Sequence, residues 1–435
     1  MTSRLLTPPS TPLDVSVRVP GSKSLTNRAA IVAALTEGTS LLEGVLESDD
    51  TRVMRQALRT LGLTIEHDEA AATMRIEGQG GRFPTAGREP ISLDLHNSGT
   101  SIRFLTAAVA AAAWEGEPVT LSGIARMQER PIASLLTALQ ALGGDARDVA
   151  GTGCPPVVVG GQPLQGGEVA MRGDVSSQFL SAVLMAAPLA RQPTTVRIEG
   201  DLVSRPYVDM TLAVMTAFGA AVEEPTPNTF TIAATPYVAR RTAYAIEPDA
   251  SAASYWMAAG ALAGRVRIER LDRSALQGDV HFAGVLEQMG AVVEEAPGSL
   301  TVSRPADGRL RGIDVDMGDI SDTAQTAAVV ALFAEGPTRI RGVEHMRHKE
   351  TDRVAALVAE IRRLGLEADE HPDGLTIHPG VPVPREPVHT YDDHRMAMSF
   401  ALAGLMTHDL EIADPGCVAK TYPGFWDDWN RLVES

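Results

Sequence analysis

The sequence predicts an α/β protein of two domains, each holding three copies of one α+β unit. Three observations predict it. A helical run closed by a glycine occurs at Ala57–Gly62, Ala138–Gly143, Met215–Gly219, Leu286–Gly290 and Ile361–Gly365. A short strand-like stretch ending at a glycine or its equivalent occurs at Leu41–Gly44, Thr120–Gly123, Arg197–Gly200, Arg267–Arg270, Arg339–Gly342 and Glu411–Asp414. An alanine-rich run with a polar start precedes each of these strands. Both patterns recur about every 70–80 residues, a step too long for common solenoids.

Each unit reads in order as polar cap, buried helix, strand, loop, exposed helix, glycine and strand. The polar starts are Ser24-Leu25-Thr26-Asn27, Asn97-Ser98-Gly99-Thr100, Ser176-Ser177-Gln178, Asp249-Ala250-Ser251, Ser321-Asp322-Thr323 and Asp392-Asp393-His394. Side chains of these types accept from the first N–H groups of a helix, so helices should begin there. The runs behind them are apolar nearly all round, which predicts burial. The closing glycines suit the left-handed position just past a helix end. The strands outnumber the glycine-closed helices by one. The last unit therefore runs off the C-terminus and is expected to be completed by the N-terminal segment. Boundaries near residues 20–22 and near Tyr244 split the units three and three, as 21–244 and as 1–20 with 245–435.

Composition narrows the function. The 435 residues are 44% apolar and 21% charged, which is globular rather than disordered. A net charge of -17 argues against a nucleic-acid or membrane-surface partner, and any anionic ligand needs a local basic cluster. Cys154 and Cys417 form no metal or disulfide pattern, which suits a reducing, cytoplasmic setting. Met1 to Pro12 shows no signal or transit pattern.

Chemistry gathers at the helix starts and in the loops after the strands. Pro20-Gly21-Ser22-Lys23-Ser24-Leu25-Thr26-Asn27-Arg28 sets a lysine, an arginine and three hydroxyls at a helix N-terminus, a seat for phosphate or carboxylate. A solvated loop before an ordinary helix explains it as well. A P-loop does not, for lack of Gly-Lys-Ser. Single arginines recur in Arg126-Met127-Gln128-Glu129-Arg130-Pro131, Ser204-Arg205-Pro206-Tyr207, His345 to Arg353 and Asp393-His394-Arg395, and suit bidentate clamping of anions. Asp322 and Glu350 lie in such loops, with Lys23 or Lys349 as candidate neighbours, and are candidate acid–base groups. His345 with His348, or His394 with Asp393, lacks a third clear ligand, so no metal is expected.

Together these motifs resemble the 5-enolpyruvylshikimate-3-phosphate synthases, the 3-phosphoshikimate 1-carboxyvinyltransferases. The matching stretches are Pro20 to Arg28, Asn97-Ser98-Gly99-Thr100, Arg126 to Pro131, Ser176-Ser177-Gln178, Lys349-Glu350-Thr351-Asp352-Arg353, Asp393 to Met398 and Ala419-Lys420, in family order over nearly the whole chain. The resemblance implies a two-domain, inside-out α/β barrel-like fold of six βαβαββ units. It implies transfer of an enolpyruvyl group from phosphoenolpyruvate to the 5-hydroxyl of shikimate 3-phosphate, by addition and elimination with release of phosphate. It implies no cofactor and a monomer. Across the family pattern, Lys23, Ser24, Arg28, Ser176, Ser177, Gln178, Ser204, Tyr207, Asp322, His345 and Lys349 would hold shikimate 3-phosphate, mainly in the N-terminal domain. Lys23, Gly99, Arg130, Gln178, Arg353, Arg395 and Lys420 would hold phosphoenolpyruvate. Asp322 would take the hydroxyl proton, Glu350 would protonate the methylene carbon and Lys23 the leaving side. The halves would meet across a cleft that closes on the substrates.

Two departures bear on this. His345 stands where many members carry Asn. Phe104 stands in place of the proline of Asn-Ala-Gly-Thr-Ala-Met-Arg-Pro, where family changes affect the herbicide glyphosate, while Gly99 is retained. The alternatives are the sister transferase acting on UDP-N-acetylglucosamine and a non-catalytic anion-binding protein. The sister family carries a reactive cysteine in the loop that here reads Arg126 to Arg130 without one. The carboxylates Asp322 and Glu350 would add little to a pure anion binder.

Overall fold

In the computed structural model, residues 2–434 apart from Ala113, Val175, Arg240 and Arg241 are described. Backbone contacts divide the chain into a unit Gly21–Ile246 and a unit of Met1–Pro20 with Glu247–Ser435. Each has its own apolar core. The later crossing falls two residues past Tyr244 for a local reason. Tyr244 and Ala245 pair in parallel with Leu42 and Glu43, and the Ile246 N–H donates to the Glu43 carbonyl, so the chain stays with the first unit until that strand ends.

The sheet of Ile91–Asp94, Val119–Ser122, Val157–Val159 and Ala146–Asp148 shows the repeat in full. Its first two strands run parallel across the inner helix Gly99–Ala111, and the last two add antiparallel after the outer helix Ala133–Ala141. The sheets starting at Gly167–Arg172 and Asp314–Asp316 follow the same order. In two others the first strand comes from afar. Leu13–Val17 pairs with Gly264–Glu269, and Tyr244–Ala245 with Glu37–Glu43. The last repeat is shortened: Ser3–Leu6 lies antiparallel to Leu410–Ala413, which bridges Val388. The N-terminal segment thus completes the last repeat, as the one strand in excess of the glycine-closed helices predicts, and also begins the fourth.

The inner helices form where the polar starts are. Ser22, Ser98, Ser176, Asp249 and Asp393 each accept from an N–H of the first turn. Behind them the alanine-rich runs are buried on every side, because small side chains let helices and sheets approach closely. The outer helices are amphipathic: Asp49–Thr60 buries Val53, Met54, Ala57 and Leu58 and leaves Arg52 and Arg59 toward solvent. The five closing glycines all take positive φ, between 78° and 102°. Among the described residues no helix is long and apolar enough to cross a membrane.

One start departs from expectation. Ser321-Asp322-Thr323 ends a 3-10 turn, Gly318–Thr323, and makes no side-chain cap for the helix Ala324–Ala331. The Thr323 hydroxyl instead donates to the Ile320 carbonyl, and the Asp322 carboxylate is turned to other partners.

Candidate active site

In the unit Gly21–Ile246, the helix Lys23–Leu35 presents Lys23 one residue past its cap. Lys23 Nζ lies 3.6 Å from Asp50, a buried carboxylate at the start of the next helix. Ser24 is half-buried, and its carbonyl accepts from Arg28. Arg28 itself turns inward. Its Nε donates to the Thr211 hydroxyl at 2.7 Å, and Nη2 donates to the Tyr207 carbonyl and Ser181 hydroxyl. Four of its five N–H donors are engaged, which makes it first a strut between the Lys23 helix and the Tyr207 segment. Burial pulls its pKa down to about 10. Ser204, just before Tyr207, takes a left-handed φ of 58° and leads into the helix Arg205–Ala217.

A second group in this unit centres on Gly99. A Cβ there would sit 2.5 Å from Arg130 Nη2 and 2.7 Å from Arg103 Nη1, so only glycine admits the two guanidinium groups against this helix turn. Arg130 donates to the carbonyl and side-chain oxygen of Asn97. Arg103 donates to the Gly99 and Pro131 carbonyls and, at 2.7 Å, to Gln178 Oε1. This joins the second helix start to the third, where Ser176 caps the Gln178 N–H and Ser177 is buried.

In the other unit, charges meet carboxylates. Asp322 Oδ1 accepts from Lys349 Nζ at 2.7 Å and Arg353 Nη1 at 3.3 Å, and its Oδ2 from Arg395 Nη2 at 2.7 Å. Glu350 accepts from Arg353 Nη2 at 2.9 Å and pairs with Lys420 Nζ at 3.2 Å. Arg353 is almost wholly buried and donates twice more, to Asp393 at 2.7 and 3.3 Å. Burial alone would lower the Arg353 pKa. The charges of Asp393, Glu350 and Asp322 outweigh it and raise it. Burial pulls the Lys349 pKa down, opposed by Asp322. Arg395 also donates to the hydroxyl of Tyr255, whose phenol burial pushes up to about 12. His345 Nε2 lies 2.9 Å from the Ser321 hydroxyl, and burial beside Lys349 pushes its pKa down to about 3. It is a neutral hydrogen-bonding group, as an asparagine would be.

The structure thus gathers Lys23, Ser24, Arg28, Gly99, Arg130, Ser176, Ser177, Gln178, Ser204 and Tyr207 in one unit and Asp322, His345, Lys349, Glu350, Arg353, Arg395 and Lys420 in the other. The cap side chains take first-turn N–H groups that the sequence offers to an anion, so the attraction rests mainly on side-chain cations. Arg103, Asp50 and Asp393 were not among the assigned site residues. Arg103 had a signal: it stands four residues after Gly99, hence on the same helix face. Asp393 had the signal of a cap two residues before Arg395. Asp50 had none beyond a place at a helix start.

The family model for EPSP synthase (3-phosphoshikimate 1-carboxyvinyltransferase) matches residues 7–429. The chain is 44% identical over 425 residues to a 3-phosphoshikimate 1-carboxyvinyltransferase of Nostoc punctiforme, with 97% of each covered. It is 44% identical over 436 residues to a chloroplastic one of Petunia hybrida, covering 98% of this chain and 84% of that one. Among solved structures, EPSP synthase from Acinetobacter baumannii matches with TM-score 0.78 and 26% identity, covering 99% of this chain and 98% of that one. The enolpyruvyl transferase NikO from Streptomyces tendae matches in fold, with TM-score 0.76 and 21% identity over 99% of this chain and 97% of that one.

Proposed function

The chain belongs to the EPSP synthase (3-phosphoshikimate 1-carboxyvinyltransferase) family, and from that premise we propose how its residues divide the reaction. The enzyme transfers the enolpyruvyl group of phosphoenolpyruvate to the 5-hydroxyl of shikimate 3-phosphate and releases phosphate, a step toward chorismate and the aromatic amino acids. The observation that carries the division is the meeting of two carboxylates, Asp322 and Glu350, with Lys349, Arg353, Arg395 and Lys420.

Lys23, Ser24, Arg28, Ser176, Ser177, Gln178, Ser204, Tyr207, His345 and Lys349 hold shikimate 3-phosphate, with Asp322 at its 5-hydroxyl. Lys23, Gly99, Arg130, Gln178, Arg353, Arg395 and Lys420 hold phosphoenolpyruvate. The hydroxyl oxygen bonds to C2 of phosphoenolpyruvate while its proton passes to Asp322, and Glu350, entering this step as the carboxylic acid, gives its proton to C3. A C3 proton then returns to Glu350, the C2–C3 double bond re-forms as the bond from C2 to the phosphate oxygen breaks, and Lys23 protonates the leaving phosphate. Asp322 then loses its proton to solvent and Lys23 takes one back, which resets both groups. A carboxylate gripped by three cations is a weak base. The carboxylate and phosphate of phosphoenolpyruvate compete for Arg353 and Arg395, which loosens that grip when the base is needed. Fixed cations also offset the repulsion between two anionic substrates and the charge that shifts in the transition state.

The test is phosphate release from phosphoenolpyruvate, with shikimate 3-phosphate and separately with UDP-N-acetylglucosamine. Release only with shikimate 3-phosphate is expected. Release only with the sugar nucleotide, or none with either, overturns the reading. The chain is further proposed to act as a cytoplasmic monomer. The separate, unbridged Cys154 and Cys417 support the reducing compartment, and gel filtration with light scattering checks the monomer.

A further inference from the structure

The helix Arg353–Arg363 carries a carboxylate that the chemistry above leaves unused. Glu360 is fully buried. Its Oε1 accepts from the Tyr391 hydroxyl at 2.6 Å and its Oε2 from the His389 N–H at 2.9 Å. Arg363 Nε donates to both oxygens, at 3.3 and 3.1 Å. These bonds hold an unusual piece of backbone. Tyr391 and Asp392 both lie in the left-handed region, with φ of 56° and 55°. Consecutive non-glycine residues there are strained, and they persist only where their surroundings over-determine them. The next residue is Asp393, which caps the helix His394–Ala401 and binds Arg353. The same two segments are therefore tied twice, at Glu360 and at Asp393.

We infer that Glu360 and Tyr391 form a positioning brace: they hold the strained turn that aims Asp393 and Arg395, and so set the geometry of the anion-binding arginines Arg353 and Arg395. The inference rests on the assignment of those arginines to phosphoenolpyruvate. Chemistry at position 360 is constrained, because both oxygens accept. A glutamine would set its NH2 against the Arg363 Nε–H whichever way it lies, since that donor bonds both oxygens. The Tyr391 phenol, pushed up to about 12 by burial and by Glu360, stays protonated and donates.

Tyr391→Phe and Glu360→Gln in the full chain, studied by steady-state kinetics, thermal denaturation and amide hydrogen exchange, test the brace. KM for phosphoenolpyruvate should rise about tenfold, the scale of one lost hydrogen bond to a charged group, while KM for shikimate 3-phosphate stays within about twofold. The Arg395 and Met396 amides, both bonded to Asp393, should exchange faster. Wild-type exchange and KM in both variants would overturn the brace. So would a loss of kcat and melting temperature with both the exchange of those two amides and KM for phosphoenolpyruvate unmoved, since that marks a merely structural bond. Faster exchange with unchanged KM would support the brace and overturn the assignment of the arginines to phosphoenolpyruvate. Tyr391→Phe removes one oxygen from a partly exposed ring, so it carries the test if Glu360→Gln fails to fold.

Discussion

Arg28 and Arg353 are both buried arginines behind a candidate anion site, and they are held in opposite ways. Arg28 rests on neutral groups: the Ser24 and Tyr207 carbonyls and the Thr211 and Ser181 hydroxyls. Arg353 rests on carboxylates: Asp393, Glu350 and Asp322. The same burial gives opposite outcomes, with the Arg28 pKa pulled down to about 10 and that of Arg353 raised. Neutral supports orient a cation and leave its charge to act on a ligand. Carboxylate supports cancel much of it until an incoming anion competes, and they supply groups able to exchange protons. The first arrangement suits gripping an anion, the second suits chemistry on one.

Breaking the carboxylate side should cost most. Asp322→Asn keeps the shape but cannot take a proton, so kcat should fall by about 10²–10⁴. KM for phosphoenolpyruvate should not rise, because the change frees cations. A rise would show that Asp322 aims Arg395 rather than competing for it. Lys23→Met should fold and lose nearly all turnover, by about 10²–10³ in kcat, if it serves the leaving phosphate. Substantial activity would remove Lys23 from the mechanism.

Stability measures the contrast directly. Arg353→Met strands the wholly buried Asp393 and should cost about 3–5 kcal/mol in urea unfolding. Arg28→Met strands only carbonyls and hydroxyls and should cost about 1–3 kcal/mol. Equal losses would mean that the two supports do not differ as drawn. Gly99→Ala tests the grip alone. Its Cβ must displace the Arg130 guanidinium, so KM for phosphoenolpyruvate should rise about tenfold with melting temperature nearly unchanged.

The capped helix starts were legible because one side chain and one backbone N–H decide each of them, within three residues. The closing glycines were legible for the same local reason. Asp322 was legible as a reactive candidate but not as part of a 3-10 turn. The cations that draw its carboxylate away from capping lie at 349, 353 and 395, far along the chain. The exchanged first strands were hidden too. Tyr244–Ala245 is two residues long and has no pattern of its own, and its partner strand Glu37–Glu43 lies about two hundred positions earlier. Arg28 was legible as a cation near an anion seat. That it is first a strut depends on Thr211, Ser181 and Tyr207, which no spacing connects to it.

The smallest expected effect concerns His345, on the carboxylate side but bonded to a neutral hydroxyl. Its fold-state pKa of about 3 lies below the value near 6.5 of an unfolded chain. The native state therefore resists the proton that the unfolded state accepts. The stability His345 contributes is fully present above about pH 6.5 and is lost as pH falls toward 3. An asparagine can keep the bond to Ser321 without titrating, so His345→Asn should change KM for shikimate 3-phosphate by no more than about threefold. Between pH 7 and pH 5 the wild-type melting temperature should drop further than that of the variant. Equal drops would mean that His345 takes up its proton inside the fold, beside Lys349 and Arg353. A fourth cation would then stand near Asp322, beside Lys349, Arg353 and Arg395, and the charge balance that separates this half from the other would fail at its own centre.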